Sequence, residues 1–148
     1  MKPSTPISEI MTTNPVTLTP TDILDTAHDL FKTHGIHHIL IVHEDQLVGM
    51  VSFADYLRVI RNLGDNNDEK ITNQRLLNSI TMSDVMTDKM VCLHPDDSIN
   101  DALQLFKLNR FQAIPVVDEK KKLLGIVTTF DMLLLLEKYM TLKNSPLK

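Results

Sequence analysis

The chain has a single cysteine, Cys92, in 148 residues, so no internal disulfide can brace it. A lone thiol suits a reducing compartment. An excess of basic residues is also missing: Lys and Arg number 15 against 19 Asp and Glu, for a net charge of −4. Sequence-independent binding to nucleic acid needs clustered cations against phosphates, and this composition argues against it. The one basic cluster, Lys120-Lys121-Lys122, follows Asp118-Glu119 and reads as a solvated turn. Long apolar runs are lacking. The most apolar stretch, Met132 to Leu136, is far short of the ~20 residues of a spanning helix, so no membrane partner is expected. Met1 to Pro6 has no apolar run and is not expected to be a signal peptide. The expected location is cytoplasmic. No nucleophile with an adjacent base, carboxylate pair or metal cage stands out, so no enzyme is expected.

What the chain does have is an apolar fraction of 43%, enough for a sizeable core, and an internal repeat. A single shift lays Met11-Thr12 on Met86-Thr87, and Val16, Leu18 and Pro20 on Val91, Leu93 and Pro95. It also lays Leu30-Phe31-Lys32 on Leu105-Phe106-Lys107, and Ile39 and Val42 on Ile114 and Val117. The register slips by one residue in the lysine-rich turn. Gly49, Asp55 and Leu57 then fall on Gly125, Asp131 and Leu133. The repeats occupy 7–61 and 82–140, with a linker over 62–81. Gly64 to Lys70 reads as a polar loop, and Arg75-Leu76-Leu77 as a short helix.

Each repeat has the same coarse pattern. A short strand is expected over Val16 to Leu18, and over Met90 to Leu93 in the second copy. A helix follows, with Asp22 or Asp97 near its positive end. Leu24, Ala27, Leu30 and Phe31 recur at helical spacing, as do Ile99, Ala102, Leu103 and Phe106. The runs Ile39 to Val42 and Leu47 to Ser52 read as a hairpin, as do Ile114 to Val117 and Leu123 to Thr128. A last helix begins near Asp55 or Asp131. A unit of fewer than ~60 residues buries little surface alone, so the two copies are expected to pack as a pair.

Each copy ends its hairpin in Gly-x-x-Ser/Thr-x-x-Asp: Gly49-Met50-Val51-Ser52-Phe53-Ala54-Asp55, then Gly125-Ile126-Val127-Thr128-Thr129-Phe130-Asp131. With Ile114-Pro115-Val116-Val117-Asp118 and the opening Met-Thr pairs, this resembles a tandem pair of CBS domains, a Bateman module. The resemblance implies an α+β fold of two strand–helix–strand–strand–helix domains, packed sheet to sheet with pseudo-twofold symmetry. It implies a non-catalytic regulatory module that binds an adenosine-type nucleotide in clefts between the domains. AMP, ADP, ATP and S-adenosylmethionine are the candidate ligands, and no catalytic cofactor is implied. The alternative is a dimerisation module with no physiological nucleotide. Leu40 stands where the second copy has Pro115, a departure that bears on local strand geometry.

Carried over by position, Ser52 and Asp55 join Val91, Phe111, Gln112 and Ala113. Thr128 and Asp131 join Val16, Ile36, His37 and His38. The carboxylate would accept from the ribose diol. The hydroxyl and the N–H groups at the helix start would face phosphate. Capping of the helix by each Asp is the plainer alternative. His34, His37 and His38 suggest a metal, but adjacent strand residues point to opposite faces, so no metal site is expected. A phosphate contact from a histidine fits better, and would favour the Asp131 cleft for phosphorylated ligands. Cys92 is expected to be a small buried residue. The stripe Met132 to Leu136 is broader than one helix face needs, which leaves core burial or an interface open. Partners expected are the adenosine compound, a second copy in a homodimer, and an effector protein of unknown identity.

Overall fold

The computed structural model describes residues 4–63, 75 and 77–144. The loop expected at Gly64 to Lys70 lies outside the described residues, as does Leu76 of the expected short helix; Arg75 and Leu77 are helical. The fold is α+β, with two three-stranded sheets. In chain order the elements are β1 (Thr12–Thr13), β2 (Thr17–Leu18), α1 (Leu24–His34), β3 (His38–His43), β4 (Gln46–Ser52) and α2 (Phe53–Leu63). Then come α3 (Met82–Val85), α4 (Ile99–Lys107), β5 (Ala113–Val117), β6 (Leu123–Thr128) and α5 (Thr129–Asn144). A 3-10 turn at Ile7–Glu9 precedes β1.

The chain divides into two compact units, and these do not coincide with the repeats. One unit joins Met1–Asn14 to Val91–Lys148; the other is Pro15–Met90. The opening segment of each repeat is therefore built into the unit that carries the other repeat's body.

In the Pro15–Met90 unit the sheet order is β2-β3-β4, with β2 parallel to β3 and β3 antiparallel to β4. Glu44 and Asp45 both have positive φ, which suits the right-handed twist of a two-residue hairpin turn. Leu24, Ala27, Phe31, Ile39, Ile41, Val51 and Tyr56 form the core. Met82 completes it from beyond the linker, fully buried. A bridge between Met50 and Thr87 ties that segment to β4.

In the other unit the sheet order is β1-β6-β5. Its core is Leu93, Ile99, Ala102, Phe106, Ile114, Val116 and Val127, completed by Ile7 from the chain's first segment. Ile7 donates its N–H to the Asp97 carbonyl at 2.7 Å, Ile99 donates to the Thr5 carbonyl at 2.9 Å, and β1 pairs with β6.

The strand expected over Met90 to Leu93 is not formed; only one bridge, Leu93 to Val116, is present. The substitution noted at Leu40 explains the difference. Leu40 donates its N–H to the Val16 carbonyl at 3.3 Å and extends the β2–β3 ladder. Pro115 has no N–H to donate, so the matching ladder shrinks to the bonds around Leu93.

Lys120, Lys121 and Lys122 are exposed in the β5–β6 turn. Asp118 organises that turn, accepting from Lys120 and Lys122 N–H at 2.8 and 2.9 Å. Helix α5 shows both fates weighed for its apolar stripe. Met132 and Leu135 pack on the core, while Leu133, Leu134, Leu136 and Met140 are exposed. Among the described residues no helix is long and apolar enough to cross a membrane.

Candidate ligand-binding site

Each Gly-x-x-Ser/Thr-x-x-Asp motif runs from the end of one strand into the first turn of a helix. Ser52 closes β4 and Thr128 closes β6. Ser52 N–H and Oγ–H donate to Asp55 Oδ2 at 3.0 and 2.6 Å, and Asp55 N–H donates back to Ser52 Oγ at 3.1 Å. In the second copy Thr128 donates twice to Asp131 Oδ2, both at 2.7 Å, and Asp131 N–H donates back at 3.3 Å. These are reciprocal capping boxes. The same arrangement opens α3 at Thr81 and Asp84, and α4 at Ser98 and Asp101. The capping role is therefore real at all four helices. The boxes at α2 and α5 are part-buried, whereas those at α3 and α4 are exposed.

The second oxygens of the two motif carboxylates differ. Arg58 Nη2 reaches Asp55 Oδ1 at 3.0 Å. Among the described residues no side chain pairs with Asp131 Oδ1, and Leu134 occupies the position matching Arg58. Arg58 was not singled out from the sequence. Its signal was present, a basic residue one turn beyond an acidic one on a helix.

The glycines are there for close approach. Neither lies in the left-handed region; both are in strands. A Cβ on Gly49 would run into Met86 Sδ, and one on Gly125 would stand 2.7 Å from the Thr12 carbonyl and 2.9 Å from Met11 Sδ. The opening Met-Thr pairs of the repeats thus lie on the motif glycines.

The other candidate residues divide between the units. Val16, Ile36, His37 and His38 belong to the unit of Ser52 and Asp55; Val91, Phe111, Gln112 and Ala113 belong to that of Thr128 and Asp131. His38 lies opposite Ser52 in the β3–β4 register, and Ala113 lies opposite Thr128. Ile36 and Phe111 are partly committed to core packing, and Ala113 is buried. Val91 is exposed. The N–H groups expected to face phosphate are partly spoken for. Phe53 donates to the His37 carbonyl at 2.8 Å and Thr129 to the Gln112 carbonyl at 3.1 Å. The caps take those of Asp55 and Asp131.

Burial holds the His38 imidazole below its ordinary value; repulsion from His37 adds to this, and Asp55 pulls the other way. His38 is thus kept neutral, a weaker phosphate donor than an imidazolium. Folding carries a pH cost from this group. Above the unfolded value of ~6.5 both states are neutral and stability is complete. Below it the unfolded chain takes a proton that the folded chain resists, so stability falls as pH falls. The expected slope from this residue is at most about 1.4 kcal/mol per pH unit. His38→Gln should flatten the decline of Tm between pH 7 and pH 5; an unchanged profile would remove His38 as its source.

Cys92 is half-buried, and burial pushes its thiol up while Lys121 opposes the shift. Among the described residues no cluster of three or more His, Cys, Asp or Glu could hold a metal ion.

Two strand-to-helix capping motifs, on two similar α+β units built from one repeated sequence, define a tandem module. The CBS domain profile matches residues 7–62 and 82–138, and the chain belongs to the CBS domain family. Inosine-5'-monophosphate dehydrogenase of Methanocaldococcus jannaschii is 29% identical over 126 residues, covering 84% of this chain but only 22% of the dehydrogenase. Two solved structures share the fold. The CBS domain pair of protein MJ0100, in complex with 5'-methylthioadenosine and S-adenosyl-L-methionine, has a TM-score of 0.76 at 23% identity, covering 93% of this chain and 99% of that one. CBSX2 in complex with AMP has a TM-score of 0.75 at 23% identity, covering 91% and 98%.

Proposed function

We propose that this chain is a regulatory module that binds an adenosine-type nucleotide through the half-sites at Ser52 and Asp55 and at Thr128 and Asp131. The observation that carries the reading is the part-buried capping box at each motif, which uses one carboxylate oxygen and leaves the other to a partner. At Asp131 that oxygen has no partner among the described residues, and a ribose diol can donate to it. The ligands named for the MJ0100 pair and for CBSX2 support an adenosine compound. AMP, ADP, ATP and S-adenosylmethionine are the ligands to try. Val16, Ile36, His37, His38, Val91, Phe111, Gln112 and Ala113 complete the proposed contact set.

Thermal unfolding with adenosine and guanosine compounds tests the reading. A ligand at 100 times its Kd should stabilise the fold by about 2.7 kcal/mol. Asp131→Asn separates the two roles of the carboxylate. Its carbonyl can keep the cap, but its amide presents a donor where the ribose needs an acceptor. We expect unchanged folding and an affinity loss of about tenfold or more, from the loss of charge-assisted bonds. No shift with any adenosine compound at millimolar concentration would sink the proposal.

A second reading, homodimerisation through α5, is favoured by the exposed Leu133, Leu136 and Met140 beside its core-facing side. Sedimentation of the same samples checks it: a monomer mass at every concentration removes it.

A further inference from the structure

We propose that Arg58 makes the Asp55 half-site selective for phosphorylated adenosine compounds, and that the Asp131 half-site binds phosphorylated and unphosphorylated ones alike. This rests on the reading above, in which each carboxylate takes a ribose diol. The two half-sites share the same cap, so the cap cannot distinguish ligands. They differ one helical turn later. Arg58 holds Asp55 Oδ1 at 3.0 Å, and its side chain is 67% exposed, so it is free to turn. The position matching it in the second copy is Leu134.

A ribose diol that donates both hydroxyls to Asp55 Oδ1 fills both of its lone-pair sites and displaces the guanidinium. An unphosphorylated nucleoside then strands Arg58 in solvent and forfeits the ion pair. An exposed pair of this kind is worth only a few-fold in affinity. A phosphorylated ligand brings its own anion, which a planar guanidinium can grip with two parallel bonds. The displaced arginine thus moves from one anion to another. At Asp131 no side chain among the described residues is displaced, and nothing is regained. A neutral or cationic adenosine compound enters there without loss. This order is the reverse of the one the histidines suggest in the sequence, where the Asp131 cleft was expected to favour phosphate. The favoured form of His38 is the neutral one, which weakens it as a phosphate donor.

The test compares adenosine with AMP by calorimetry, one half-site at a time. Asp131→Asn leaves the Asp55 half-site intact for reading, and Asp55→Asn leaves the other. In the first background, Arg58→Leu should lower the ratio of AMP to adenosine affinity about tenfold, the size of a charge-assisted contact. Arg58→Gln, which keeps a polar surface, should do the same. In the second background, Leu134→Arg should raise that ratio by a similar factor. A ratio that Arg58→Leu and Arg58→Gln leave unchanged, with both ligands still bound, overturns this inference and spares the ribose reading. Absence of binding by either ligand to the unsubstituted chain overturns both.

Discussion

Gly125→Ala should destabilise the chain by about 3 kcal/mol or more, a large effect for one added methyl. The new Cβ would meet the Thr12 carbonyl at 2.7 Å, and that oxygen belongs to the strand that pairs with β6. Relief requires β1 to move off the sheet, with loss of its bonds. Gly49→Ala should be milder, about 1–2 kcal/mol, because its obstacle is the flexible Met86 side chain. Double-mutant cycles in urea make the distinction sharp. Met86→Ala should offset much of the Gly49→Ala loss, whereas Met11→Ala should leave most of the Gly125→Ala loss in place. Full rescue of Gly125→Ala by Met11→Ala would show that the sulfur, and not the backbone, is the true obstacle. Neither glycine needs a backbone conformation barred to alanine, so the effect isolates close approach.

Ile7→Ala should cost about 2–5 kcal/mol, the range for truncating a fully buried aliphatic side chain. Its location makes it diagnostic. Ile7 opens the first repeat, yet it fills the core around Ile114, Val116 and Val127. Hydrogen exchange should therefore lose protection in β5 and β6, with β3 and β4 little changed. Met82→Ala should do the converse. Met82 opens the second repeat but is fully buried in the core of Ile39, Ile41 and Val51. If Ile7→Ala instead loosens β3 and β4, the exchange of opening segments is wrong. The result also bears on any attempt to express one repeat alone. A fragment cut at the linker would keep its own opening segment and lose the one its core uses.

Much of the local structure was legible because it depends on short-range chemistry. The apolar spacing of Leu24, Ala27 and Phe31 and of Ile99, Ala102 and Phe106 placed α1 and α4. Two β-branched runs around a polar turn placed each hairpin. Ser52 with Asp55, and Thr128 with Asp131, marked the starts of α2 and α5, since a capping box closes over three residues of one chain segment. Asp22 and Asp97 fell just ahead of their helices, whose first turns carry Asp25 and Asp101 instead.

The repeat, the α+β class and the paired motifs were thus settled by the sequence itself, because periodicity and capping are written in neighbouring residues. Tertiary structure alone decided which core each opening segment joins. A repeat alignment reads the same whether the two segments stay with their own copies or change places, since Ile7 and Met82 are apolar in either case. It alone showed that Met11 and Met86 lie on the motif glycines, a contact between residues far apart in the chain. The loss of the strand before Leu93 belongs there too. A proline reads as one residue in a buried run, and its missing N–H matters only once a neighbouring strand needs a donor. The inequality of the two carboxylates has the same origin. Arg58 and Leu134 were both visible as letters, but the free or occupied oxygen is a property of where a guanidinium comes to rest.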